Sequence, residues 1–194
     1  MRRPPVLLVI AVAFVLLVAG GALAIAHRPF PPDDTPEGAY SRIALAVADG
    51  RTRDAFAYLE TEAQWASYSI RDARKKASER VATSYPEGLR AATLAPWAPE
   101  AHAPDGADVF ALYAARRGWV PRLERDLSGA AHVDVEGDRA TVVTARGTRY
   151  SFRRRENGIW GLTLFTADLV AEAERATRDL AIVEAAARDY DGVK

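Results

Sequence analysis

Apolar and polar residues follow different periods along this chain, and each period predicts a different kind of element. Residues 6–26 (VLLVIAVAFVLLVAGGALAIA) carry no charge. As a helix rising about 1.5 Å per residue, this run would cover about 30 Å, the hydrocarbon thickness of a bilayer. From Thr35 onward the apolar positions recur every three or four residues, as on one face of a helix. Over 131–165 they recur every second residue, as on one face of a strand, and after Thr166 the helical period returns.

The helical section opens at Asp34-Thr35-Pro36-Glu37, where Asp or Thr caps, proline fits the first turn and glutamate favours the positive helix end. Tyr40, Ile43, Ala44 and Val47 form its buried stripe, and Gly50 ends it. A short second helix after Thr52 turns Phe56 and Leu59 to the same core. Thr61-Glu62-Ala63-Gln64 fits a capping box and starts a third helix through Trp65, Tyr68, Ala73, Ala77 and Val81. Prolines at 86, 96, 99 and 104 defeat long helices, so 86–104 is expected to be a Pro-rich surface excursion docked by Trp97. A helix returns over 105–117 through Val109, Leu112 and Tyr113, followed by a helical turn around Pro121.

The alternating section predicts strands 131–136, 139–145, 148–155 and 159–165, with Asn157-Gly158 the strongest hairpin signal. Alternation places Val133, Val135, Tyr150, Phe152, Trp160, Leu162 and Leu164 on the core face of a four-stranded antiparallel meander. A last helix over 167–190, capped by Thr166, carries Leu169, Ala173, Ala176, Leu180, Val183, Ala187 and Tyr190 at spacings of three and four. That heptad-like seam suits packing against the domain, a protein partner or a second copy in a homodimer. The fold class is α+β: N-terminal helices on a cone-like antiparallel meander, a long C-terminal helix and one N-terminal transmembrane helix.

Charge then orients the apolar run. Arg2 and Arg3 outweigh Arg28 on the other flank, so residues 1–5 belong in the cytoplasm and the domain outside the cytoplasmic membrane. A cleaved signal peptide competes, because Gly20-Gly21 shortens the apolar core and Ala24-Ile25-Ala26 is a small-x-small site before His27. Cleavage there would leave a secreted or periplasmic protein. Residues 27–34 (HRPFPPDD) form a Pro-rich stalk and 35–194 a single domain. With no cysteine there is no disulfide, thiolate metal site or cysteine nucleophile, and no metal or cofactor motif occurs. Twenty-six basic residues balance twenty-six acidic ones, so no overall field draws nucleic acid.

TPEGAYSRIALAVADGRTRDAFAYL at 35–59 and RYSFRRRENGIWGLTLF at 149–165 together resemble the opening helix pair and terminal aromatic hairpin of the nuclear transport factor 2-like (SnoaL-like) superfamily. The resemblance implies a curved sheet forming a cone around an N-terminal helix. Such domains include isomerases, dehydratases, ligand binders and noncatalytic envelope modules. The 86–128 insertion and the added last helix depart from the compact form of that family.

Candidate chemistry is sparse. His132 and Asp134 share one strand face, as an acid–base pair of a cone-fold isomerase, dehydratase or hydrolase would, yet the valines between them claim the core and leave this face to solvent. The aromatics Tyr40, Phe56, Trp65, Tyr68, Tyr150, Phe152 and Trp160 are ligand-pocket candidates, with core packing the preferred role. Arginines 146, 149, 153, 154 and 155 are read as a solvated edge rather than an anion stripe. Arg71, Arg74, Lys75, Lys76 and Arg80 are read as a solvated helix face. The sequence therefore points to a membrane-tethered envelope protein with a noncatalytic interaction or small-ligand-binding domain. A small enzyme and a structural spacer stand as alternatives.

Overall fold

The computed structural model describes residues 31–192. The expected cytoplasmic start 1–5, the transmembrane or signal segment 6–26 and residues 27–30 of the stalk lie outside the described residues. No helix among the described residues is long and apolar enough to cross a membrane.

Helix α1 spans Pro36–Ala48, with the Thr35 side chain accepting from the Gly38 amide and Pro36 in the first turn. A 3-10 helix, Thr52–Tyr58, follows and turns Ala55 and Phe56 inward. Helix α2, Thr61–Ser84, is not started by the expected capping box. Its cap is Glu60, which makes no side-chain cap bond, and Gln64 donates instead to the Phe56 carbonyl at 2.7 Å. The Pro-rich excursion resolves into two short helices, α3 (Glu87–Leu94) and α4 (Ala98–Ala101), each with a proline at or near its start. Helices α5 (Gly106–Arg116) and α6 (Trp119–Asp126) complete the helical half. Asp105 accepts from the Ala107 and Asp108 amides to cap α5.

Four antiparallel strands follow in spatial order β1-β2-β3-β4: Ala130–Glu136, Arg139–Thr144, Arg149–Arg154 and Trp160–Leu162. Ala140, Val142, Tyr150, Phe152, Trp160 and Leu162 are buried under the helices. Two members of the expected core face are not. Val135 lies on edge strand β1 and is 57% exposed, because no helix covers that end of the sheet. Leu164 is 39% exposed, since the last strand stops at Leu162 and a turn between Thr163 and Thr166 brings Phe165 inward instead. Val133 is only partly buried, packed against the core.

Leu59 bridges Leu162 in parallel and the Glu60 amide donates to the Leu162 carbonyl, so the chain before α2 lies along β4. The contact is close enough to require glycine at 161: a Cβ there would sit 2.4 Å from the Glu60 Cα.

Helix α7, Thr166–Gly192, packs on α2 in the most extensive contact between any two elements. Glu60 meets Thr166, Arg74 meets Asp179 and Ser84 meets Asp191, so residue numbers rise together and the helices run parallel. Leu169, Ala176, Val183 and Ala187 of the seam are buried, while Ala173, Leu180 and Tyr190 pack partly buried against the cores. The seam thus packs within the chain. Ala77 and Val81 of α2 meet Val183 and Ala187, and small side chains here allow close helix approach. Pro32 onward forms one compact unit. The end of the stalk belongs to it, with Asp33 accepting from Tyr58 and Arg42 and the Asp34 carbonyl accepting from the Trp160 indole.

Candidate functional site

The seven aromatic candidates separate into two groups. Tyr40, Phe56, Tyr150, Phe152 and Trp160 are core residues. Tyr40 and Tyr150 pack at 5.6 Å, and the Tyr40 hydroxyl is bonded to Ser128. The side of the sheet facing the helices is filled with apolar side chains, and of these five aromatics Phe152 alone borders an open hollow among those described below.

Trp65 and Tyr68 behave differently. Trp65 is 67% exposed and Tyr68 40%, although both lie on a helix whose opposite face is core. An exposed tryptophan of this size is the informative exception in a folded domain. The two rings meet edge to face at 6.5 Å, and Tyr68 meets Phe56 in the same manner at 5.8 Å, anchoring the pair to the core. Gly106 lies directly behind Tyr68, where a Cβ would come within 3.0 Å of its ring. The ring is therefore held by close packing.

These rings form one wall of an open groove of about 550 Å³. Thr61, Gln64, Trp65 and Tyr68 recur at spacings of three, one and three along α2, which places them on one helix face. The other wall is the β3–β4 turn, with Arg154, Arg155, Glu156 and Asn157. The turn is fixed by its own bonds: the Arg155 amide donates to the Ile159 carbonyl, the Gly158 amide to the Arg155 carbonyl, and the Ile159 amide to Asn157 Oδ1. Gly158 takes φ 84°, the left-handed position such a three-residue hairpin loop requires.

The electrostatics of this wall are unbalanced. Arg155 reaches across to α2's approach and donates Nη1 to the Ala57 carbonyl at 2.8 Å, while its Nε is shielded from water without a partner. Burial pulls its pKa down from the ordinary arginine value. Neither Arg154 nor Arg155 pairs with a carboxylate among the described residues. Most other arginines are paired. Arg53 holds Asp105 and Asp108, Arg116 holds the buried Glu100, and Arg117 holds Asp168 and the buried Glu172.

His132 and Asp134 stand on the outer face of β1, 65% and 59% exposed at their side chains, bonded to each other at 2.7 Å. Among the described residues they share no enclosed pocket and meet no third polar group that would orient a proton transfer. Asp134 does line a second open hollow of about 560 Å³, with Glu60, Glu62, Glu136, Arg139, Thr141, Ser151 and Arg153. Its charges oppose one another across the strands, with Glu136 opposite Arg139 and Arg153 3.8 Å from Asp138. This is the ordinary pattern of a wet antiparallel face.

The basic cluster on α2 is not a uniformly solvated face. Arg74 is buried, bonded to Asp179 at 2.6 Å and lying 5.1 Å from the Trp97 ring centroid, so Trp97 does dock the excursion. Arg71 donates to the Ala103 carbonyl, and Lys75 and Glu79 form an exposed pair four residues apart. Trp119 is core, stacked on Phe165 at 4.5 Å. Among the described residues no group of three or more His, Cys, Asp or Glu side chains is placed to hold a metal ion.

Sequence reasoning named Trp65 and Tyr68 but preferred them as core, and it read Arg154 and Arg155 as part of a solvated edge. The usable signal lay in α2 itself, whose buried line Ala63, Ala66, Ser67, Ile70, Ala73, Ala77 and Val81 leaves Trp65 outside it. Comparison with known proteins finds no matching family model, no matching curated protein and no matching solved structure.

Proposed function

We propose that this chain is a noncatalytic ligand-binding module held at the outer side of the cytoplasmic membrane by residues 6–26, and that its binding site is the Trp65 groove. The observation carrying the reading is the exposed Trp65 platform facing Arg154 and Arg155, two cations without carboxylate partners. An aromatic face kept in water and desolvated positive charge left uncompensated both gain when a ligand covers them. The tether rests on the uncharged length of 6–26 and the basic start before it. The membership in the nuclear transport factor 2-like superfamily belongs to the same proposal, supported by the opening helices packed on an antiparallel sheet. The ligand would sit outside the cone, whose interior is apolar core.

Two measurements test this reading. Membranes from cells producing the full chain are washed at alkaline pH; retention supports the tether, and release of a chain beginning at His27 sinks it. The purified full chain is then screened by thermal shift against a panel of small sugars, organic acids and peptides. The reading expects a stabilising hit that Trp65→Ala abolishes and His132→Ala leaves unchanged. Turnover of a hit that depends on His132 would replace it with the enzyme reading.

A further inference from the structure

Resting on that groove being a binding site, we propose that its ligand is an acidic saccharide, with a sugar ring laid on Trp65 and its carboxylate held by Arg154 and Arg155. A pyranose ring has a face of C–H bonds and a rim of hydroxyls. It therefore asks for an aromatic platform surrounded by mixed hydrogen-bonding groups in an open groove. The structure supplies this combination. Trp65 presents its ring to solvent, and Tyr68 buttresses it edge to face. Gln64 spends its amide nitrogen on the Phe56 carbonyl, leaving Oε1 as an acceptor. Asn157 spends Oδ1 on the Ile159 amide, leaving its NH2 as a donor. The Thr61 hydroxyl has no partner among the described residues. A hydroxyl both donates and accepts, so a polyol matches this mixture, whereas a wholly aromatic acid would leave it unanswered. The groove's volume falls within the roughly 300–1,000 Å³ of small-molecule sites.

Charge selects the acidic member of the class. Two arginines face one glutamate, Glu156, in the lining. Neither arginine pairs with a carboxylate among the described residues, so a carboxylate entering the groove balances a charge that the fold leaves uncompensated. The polar groups of Thr61, Gln64 and Asn157 beside Trp65 argue against a bilayer surface as the occupant, since the ring could enter an acyl layer only by carrying them with it.

The test is isothermal titration calorimetry on the full chain in a polyoxyethylene detergent, which carries no sugar. The probes are digalacturonate, neutral galactobiose, 1-naphthoate and phosphatidylglycerol vesicles. Digalacturonate is expected to bind at least about tenfold tighter than galactobiose, the worth of one charge-assisted hydrogen bond, with the preference shrinking as salt is raised. Trp65→Ala should weaken both sugars about tenfold. Arg154→Gln with Arg155→Gln should remove the acid preference and leave galactobiose within about twofold. Equal affinity for the two sugars, or binding of neither, overturns the proposal. Binding of naphthoate alone in a Trp65-dependent manner also overturns it while leaving the groove as a site; binding to vesicles alone makes the patch a membrane contact.

Discussion

Arg155 donates through Nη1 to the carbonyl of Ala57 at 2.8 Å, joining the β3–β4 turn to the 3-10 helix that leads into α2. The bond sets the distance between the two walls of the groove. It also explains how a guanidinium comes to be partly buried with its Nε unpartnered and no carboxylate to balance it.

Arg155→Ala is expected to change stability by no more than about 1 kcal/mol. The lost bond to Ala57 costs about that much in a half-exposed setting, and relief of the desolvated cation offsets part of it. Urea unfolding of the variant measures this. A loss above about 2 kcal/mol would mean that Arg155 is mainly a structural strut.

Arg74→Ala should be costly. The guanidinium is buried, pairs with Asp179 at 2.6 Å and lies over Trp97, so truncation strands Asp179 and loosens the excursion from α2. Because Asp179 keeps 29% of its side-chain surface in water, about 2–4 kcal/mol is expected, at or below the value for fully buried pairs. Arg74→Leu combined with Asp179→Leu should recover roughly half of that, since no unpaired charge remains. Chemical denaturation of the two variants reads the difference.

Gly161→Ala should destabilise by about 3 kcal/mol, because the new methyl meets the Glu60 backbone rather than a movable side chain. Separation of residues 59–60 from β4 would appear as faster hydrogen exchange at the Glu60 amide, which donates to Leu162. Gly88→Ala, where a Cβ meets nothing, is the control and should be neutral or better.

Periodicity made most of this architecture legible. The alternation around Tyr150, Phe152, Trp160 and Leu162 located the sheet's buried face, and the seam from Leu169 to Ala187 located the long last helix. What it missed depends on which neighbour covers a given position. Val135 has the right parity but sits near the end of an edge strand, where it stays 57% exposed, and the parity of Leu164 is cancelled by the turn after Leu162. The seam pattern is the same whether the filling helix comes from this chain or another, so sequence could not name α2 as the partner. The groove was harder still: Trp65 and Arg155 are far apart in sequence, and the contacts of residues 59–60 with β4 and of Arg155 with Ala57 bring them together.

The last prediction concerns alkaline pH. Burial first, and the charge of Glu172 second, push Tyr113 up to about 12; burial and then Tyr40 do the same for Tyr150. Burial also raises Tyr40, Tyr58 and Tyr85 above the ordinary value. In the unfolded chain these phenols lose their protons near pH 10. The folded chain keeps those of Tyr113 and Tyr150 until about 12. Over that interval the unfolded state binds fewer protons than the folded state, so stability is intact below the unfolded value and falls as pH rises. Urea unfolding followed in steps from neutral pH through the tyrosine range should show the decline beginning near the unfolded value, with tyrosinate absorbance lagging in the native protein. Tyr113→Phe keeps the ring packing, loses only the long contact to Glu172 at 3.4 Å, and should reduce the slope. A stability that stays level across this range would show that the buried hydroxyls ionise as readily in the fold as in water.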